Sequence, residues 1–212
     1  MTGTRRLADE ARLLSIFVKA QGLGLIGPGD LGPHIAHAMR FAPALQGVGH
    51  IADLGSGSGL PALVLSQALP SSTWTLMESN RRRCSFLREA ATTLGIEERV
   101  VILEGRVEDA ARSREYRSSF DAVTARGFGR PAVVAECAAG LLRVGGRLVV
   151  SEPPPSDESA QSQGRWPADG LLKLGLAGSA SPDPFIALMT QAEPCPERYP
   201  RRPGIPAKRP LF

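Results

Sequence analysis

The 212-residue chain is poor in aromatic side chains, at 5% of the total, with two tryptophans and two tyrosines. A row of rings on which successive bases stack is therefore not expected. Cysteine is scarce too: Cys84, Cys137 and Cys195 are odd in number and lie far apart, with neither metal-ligand nor redox spacing. That pattern excludes a disulfide framework and predicts reduced, structural thiols. His34 and His37 stand three apart, as one helix face would allow, but no third ligand lies near them in sequence, so no metal centre is expected. No apolar run approaches the length of a bilayer span. The run LLSIFV near the N-terminus is too short and too closely flanked by charge for a secretory signal. A cytoplasmic chain with no membrane partner is the expectation.

One further scarcity is local. After Glu197 there is no acidic residue, while Arg198, Arg201, Arg202, Lys208 and Arg209 follow it. The chain carries a net charge of +4. All of that excess falls in residues 195–212, and the remainder balances to zero. A basic, proline-rich tail of this kind is the footprint of a phosphate-backbone partner, which makes these five cations the candidate RNA contacts. A solvated, solubilising terminus is the other reading. A hydrophobic content of 42% with 22% charged residues suits one globular unit with a real core.

What is present is organised around residues 51–61, IADLGSGSGLP. A short apolar run ends in Asp53; Gly55, Gly57 and Gly59 follow, then Leu60, a proline and an apolar stretch that reads as a helix. Strand, glycine loop and helix open a nucleotide-type site, because glycine lets the backbone approach a ligand and the helix start offers free N–H groups. The next strand, TWTLME at 73–78, ends in Glu78, 25 residues past Asp53 and near the distance at which doubly wound folds place a ribose-binding acid. The loop is neither the GxGxxG of dinucleotide enzymes nor a P-loop, since no lysine follows it.

Further strands are expected at 100–104, at 120–126 ending in Arg126, and after the glycines at 145 and 146. Helices are expected from 81 to 94, capped by Ser79 or Asn80 and stopped by Gly95, and from 131 to 142. LLKLGLAG and PFIALMTQ supply two last strands, while prolines are expected to keep the tail irregular. At the N-terminus a helix over 5–20 places Leu7, Ala11, Leu14 and Val18 on one face. The expected architecture is α/β: a Rossmann-like, doubly wound and mostly parallel sheet with helices on both faces. A helical segment (1–48) precedes a cofactor-binding domain (49–194) and the basic tail (195–212). Asp53, Glu78, Glu108 and Arg126 all fall at the carboxyl ends of strands, where such sheets bind ligands.

These pieces resemble a known family. DLGSGSGLP, RRRCSFLRE, RVE at 106–108, FDAVTARGF, the turn GGR and the tail RYPRRPGIPAKRPL are similar to the bacterial 16S rRNA guanine-N7 methyltransferases (RsmG, also called GidB), from about His34 to Glu152 and again in the tail. The resemblance implies a class I methyltransferase fold, S-adenosylmethionine as cofactor, ribosomal RNA or the small subunit as partner, and a monomer. It implies cofactor contacts at Gly55, Leu60, Val107, Glu108 and Arg126, with Glu78 on the ribose and Asp53, Gly57 and Gly59 completing the loop. Arg126, beside the expected methyl group, is the catalytic candidate.

The chain departs from that family in three places. VKAQGLGLIG stands where a tryptophan–asparagine and then an Asn-Leu-Thr pattern are usual, His37 stands where an acid is common after His-Ile, and Ser151-Glu152-Pro153 replaces Leu-Lys-Gly. An anion at 152 is expected to repel an RNA backbone. A methyltransferase of the same fold acting on a small molecule and a non-catalytic RNA-binding relative are the competing functions.

Overall fold

Five short, apolar, β-prone runs of sequence line up in parallel at the centre of one sheet. The computed structural model describes residues 3–153 and 162–212. Its strands are β1 (His50–Leu54), β2 (Thr73–Glu78), β3 (Val100–Glu104), β4 (Phe120–Ala125), β5 (Leu142–Ser151), β6 (Leu176–Ser179) and β7 (Ile186–Gln191). They stand in the order β3-β2-β1-β4-β5-β7-β6. β1 to β5 are parallel, β7 runs antiparallel to β5, and β6 antiparallel to β7. The strand order reverses between β1 and β4, so the crevice between their carboxyl ends is the topological switch point. The glycines expected to precede the fifth strand fall inside β5, where its ladder to β4 slips between Phe120 and Ala122.

Strand alternation sends side chains to two separate cores. Ile51, Leu76, Ala122 and Val149 point to one face, and Ala52, Met77, Val123 and Leu148 to the other. The first face is covered by α1 (Gly3–Gly22), α2 (Gly32–Met39), α3 (Ala62–Ala68) and α4 (Arg81–Leu94), and the second by α5 (Val107–Ala110) and α6 (Pro131–Leu141). α4 starts on Asn80, whose side chain accepts from the N–H groups of Arg82 and Arg83, and stops on Gly95 in the left-handed region, as its sequence predicts. All three cysteines are buried free thiols.

Two expectations are corrected. α1 does not bury the face carrying Ala11, Leu14 and Val18; Leu14 is 48% and Val18 56% exposed, while Leu13, Ile16, Phe17 and Ala20 pack inward. The buried face carries three large apolar side chains, Leu13, Ile16 and Phe17, against Leu14 and Val18 on the other, and at roughly 1.5–3 kcal/mol for each one fully buried the larger set faces the core. The side chain of Leu7 lies outside the described ones. The tail is not irregular either: Pro206 lies in the first turn of a short helix, α9 (Ile205–Lys208), where its missing N–H costs nothing. The long loop expected after Glu152 lies outside the described residues over 154–161; beyond it come two short helices, α7 (Ser162–Arg165) and α8 (Ala168–Leu172).

Candidate active site

The backbone demands glycine at 55, 57 and 59. All three take left-handed φ values, 63°, 54° and 86°, which L side chains rarely adopt. Two are also closed off by neighbours: a Cβ on Gly55 would lie 2.7 Å from the Phe128 ring, and one on Gly59 would run into Leu63. Gly57 differs, because the nearest atom to a Cβ there is the Gly55 carbonyl oxygen at 3.6 Å, and the space above it is open. The acid that ends β2 ties this loop down. Gly57 N–H donates to Glu78 Oε2 at 3.0 Å and Asn80 N–H to Oε1 at 2.8 Å. The carboxylate is nearly buried, yet it keeps acceptor capacity for further donors.

Beneath the loop, Asp53 is 1% exposed. Its Oδ1 accepts from Thr124 Oγ1 at 2.7 Å, and its Oδ2 is buried with no partner. Burial pushes its pKa from 3.8 up to about 7, against hydrogen bonding and the nearby Arg126 charge. Arg126, one residue past β4, donates from Nη2 to His34 Nδ1 at 2.8 Å. A guanidinium can only donate, so Nδ1 accepts and the ring proton sits on Nε2. Burial lowers the Arg126 pKa and the Asp53 charge raises it.

Two adjoining hollows meet at Gly55. One, of about 330 Å³, is bounded by Gly55, Gly57, Leu60 and Arg126, with Ile26 and His34 opposite. The other, of about 160 Å³, is bounded by Gly55, Glu78, Val107 and Glu108, with Phe128 and Ala207 opposite. The expected cofactor residues Gly55, Gly57, Leu60, Glu78, Val107, Glu108 and Arg126 thus come together around one groove. Two line neither hollow: Asp53 is buried beneath the loop, and Gly59 serves the packing of Leu63 and Leu87. Sequence reasoning weighed His34 only as a metal ligand and did not single out Phe128 as a wall.

The tail forms part of the same groove. Gly204 N–H donates to Glu108 Oε1 at 3.0 Å, and Gly204 and Ala207 line the smaller hollow. Arg117 ties the segment down by donating to the carbonyls of Tyr199 at 2.7 Å and Cys195 at 2.8 Å. Arg201, expected as an RNA contact, has a partner inside the fold: it donates from N, Nε and Nη2 to the carboxylate of Glu136, which is fully buried in α6. Arg198, Arg202, Lys208 and Arg209 remain exposed and pair with no acid among the described residues.

Glu152 does not stand at the mouth as a bare anion. Its side chain is 9% exposed, its Oε2 lies 2.9 Å from Arg165 Nε, and its Oε1 accepts from Trp166 Nε1 at 2.8 Å. The expected repulsion of a phosphate backbone is therefore largely cancelled where it would arise. Among the described residues no group of His, Cys, Asp and Glu could hold a metal ion, and no helix is long and apolar enough to cross a membrane.

The groove fits S-adenosylmethionine. Glu78 has spare acceptor sites for a vicinal diol, Val107 offers an apolar wall for a flat base, and open space lies over Gly57. A family model described as rRNA small subunit methyltransferase G matches residues 26–178. The ribosomal RNA small subunit methyltransferase G of Rubrobacter xylanophilus is 35% identical, over 97% of this chain and 82% of its own length. That of Deinococcus radiodurans is 36% identical, over 79% and 68%. Among solved structures, an O-methyltransferase from Bacillus cereus in complex with SAH superposes with a TM-score of 0.62, over 85% of this chain and 90% of that one, at 15% identity; that likeness shows the fold.

Proposed function

The chain belongs to the rRNA small subunit methyltransferase G family, and from that premise we propose that it transfers a methyl group from S-adenosylmethionine to N7 of a guanine in 16S ribosomal RNA. The observation that carries the reading is the wall after β4, where Gly127 and Phe128 stand between the cofactor groove, lined by Arg126, and a further cavity. Methyl transfer from a sulfonium is an in-line displacement that gains chiefly from alignment of the reactants. Guanine N7 has a free lone pair at neutral pH and needs no base to expose it. An exocyclic amine would need a group after β4 to manage its proton; a cation, a glycine and a phenylalanine stand there instead.

The cofactor supplies the electrophilic methyl carbon. Glu78 takes the ribose hydroxyls, Val107 and Glu108 border the adenine end, and Gly57 gives the backbone room to approach. Arg126, held by His34, offers a donor fork suited to the amino-acid carboxylate and so aligns the donor. The guanine N7 lone pair forms the new N–C bond as the C–S bond breaks and its electrons stay on sulfur. The base becomes cationic and no proton moves. Arg198, Arg202, Lys208 and Arg209 meet the RNA backbone, and the protein acts as a monomer in the cytoplasm on its ribosomal substrate.

The test is transfer of a tritiated methyl group to small ribosomal subunits lacking the modification. Label in 16S RNA supports the reading. Cofactor binding in calorimetry without label in RNA points to a different acceptor, and no cofactor binding points to a non-catalytic relative.

A further inference from the structure

The Glu152 carboxylate borders a cavity of about 240 Å³ that belongs to neither half of the cofactor groove. Gly127, Phe128, Val150, Arg165 and Trp166 are also part of its wall. Phe128 also lines the smaller cofactor hollow and Gly127 the larger one, so the cavity adjoins the groove on both sides of the switch point. Resting on the function above, we propose that this cavity receives the acceptor guanine and that Glu152 recognises it by accepting from N1–H and the 2-amino group.

Guanine presents two adjacent donors on its Watson–Crick edge, and a carboxylate is their two-oxygen complement. Adenine offers one donor beside an acceptor, and uracil sets its single N–H between two carbonyls that a carboxylate would repel. A purine gripped by N1 and the 2-amino group directs N7, on its opposite side, away from Glu152. Gly127 and Phe128 border both this cavity and the cofactor groove, so a base held by Glu152 with N7 turned toward them presents N7 to the groove.

Trp166 Nε1 and Arg165 Nε hold the carboxylate in place, and its remaining lone pairs leave room for two more donors. Phe128 and Trp166 give the wall the apolar surface that a base face prefers. A glutamate is this chain's own solution at the position, since the resembled family tends to carry lysine there.

The experiment compares guanosine with inosine at the target position of an otherwise identical RNA fragment or reconstituted subunit; inosine keeps N1–H and N7 but lacks the 2-amino group. The wild-type protein should methylate the guanosine substrate with a kcat/KM about tenfold or more above that for inosine, the range for losing a hydrogen bond to a charged group. Glu152→Gln keeps an acceptor for Trp166 but turns a donor toward the base, and Glu152→Ala removes both oxygens. Both variants should lose activity on guanosine and bring the guanosine-to-inosine ratio close to one, with S-adenosylmethionine affinity unchanged in calorimetry. A purely structural Glu152 would lower both substrates together and leave the ratio at its wild-type value, and that result overturns the assignment. Absence of transfer to native ribosomal RNA by the wild-type protein overturns the function itself, and this assignment with it.

Discussion

Arg201 donates three hydrogen bonds to the carboxylate of Glu136, which has no exposed surface. This pair fastens the basic tail to the back of the cofactor groove and makes a segment that looks like a free arm into a wall. The two partners are unequal, because Arg201 keeps part of its side chain in water and Glu136 none. Arg201→Met should therefore destabilise by about 3–5 kcal/mol, the cost of leaving a buried charge uncompensated, and Glu136→Gln by less. Urea unfolding measures both. Arg201→Met should also weaken cofactor binding in calorimetry, since Gly204 and Ala207 hang on the same strap.

The loop glycines separate packing from binding. Gly59→Ala collides with Leu63 and should lower stability. Gly57→Ala meets no protein atom closer than 3.6 Å, so its stability cost should be only the left-handed backbone term of roughly 1–2 kcal/mol. Its cofactor affinity should nevertheless fall by about tenfold or more, since the new methyl group enters the cleft. Calorimetry beside thermal melting distinguishes the two. Unchanged affinity in Gly57→Ala would place the cofactor elsewhere.

Asp53 gives the unliganded protein a pH signature. Its folded pKa is raised from 3.8 to about 7. Below pH 4 it is neutral whether folded or not. Between pH 4 and 7 the unfolded chain gives up the proton and the folded chain keeps it, so the contribution of Asp53 to stability falls as pH rises and levels off above 7. Asp53→Asn should remove that slope in urea unfolding across the window. A slope shared by both proteins would assign it to other groups.

Arg126 is predicted to act by alignment. Arg126→Ala should reduce kcat/KM for methyl transfer by roughly a hundredfold, the scale of a misplaced reactant, while melting temperature moves by a few degrees. Parallel losses of activity and stability would make it a structural residue, bonded to His34 and no more.

For the exposed tail cations, single substitutions are cleaner than truncation, which would open the cofactor groove. Arg202→Ala or Lys208→Ala should each flatten the log–log salt dependence of RNA binding by roughly 0.7–0.9 per lost phosphate contact. The slope should stay unchanged in an Arg201 variant that still folds, because that guanidinium is committed to Glu136.

The central strands and the glycine loop were legible because each of their positions answers to a local rule: apolar alternation, a left-handed φ, an acid at a strand end. Asn80 and Gly95 announced the ends of α4 for the same reason. What could not be read depends on partners distant in sequence. Leu14 and Leu13 look alike in a helical wheel, and only the packing around Phe17 decides which is buried. Arg201 and Arg202 are neighbours of equal charge, separated only by a buried glutamate 65 residues away. Glu152 read as a repelling anion because Arg165 and Trp166, on the far side of a proline- and serine-rich stretch, carry no signal that they return to it. His34 has the same character, its partner Arg126 lying 92 residues on.

The most direct measurement of the central claim is the identity of the methylated nucleoside. Small subunits lacking the modification are incubated with the protein and S-adenosylmethionine, and their 16S RNA is digested to nucleosides and resolved by mass spectrometry. The account predicts one added 7-methylguanosine per subunit and its absence when Gly57 carries a side chain. A methyl group on any other nucleoside, or none on RNA while the protein binds the cofactor, would contradict it.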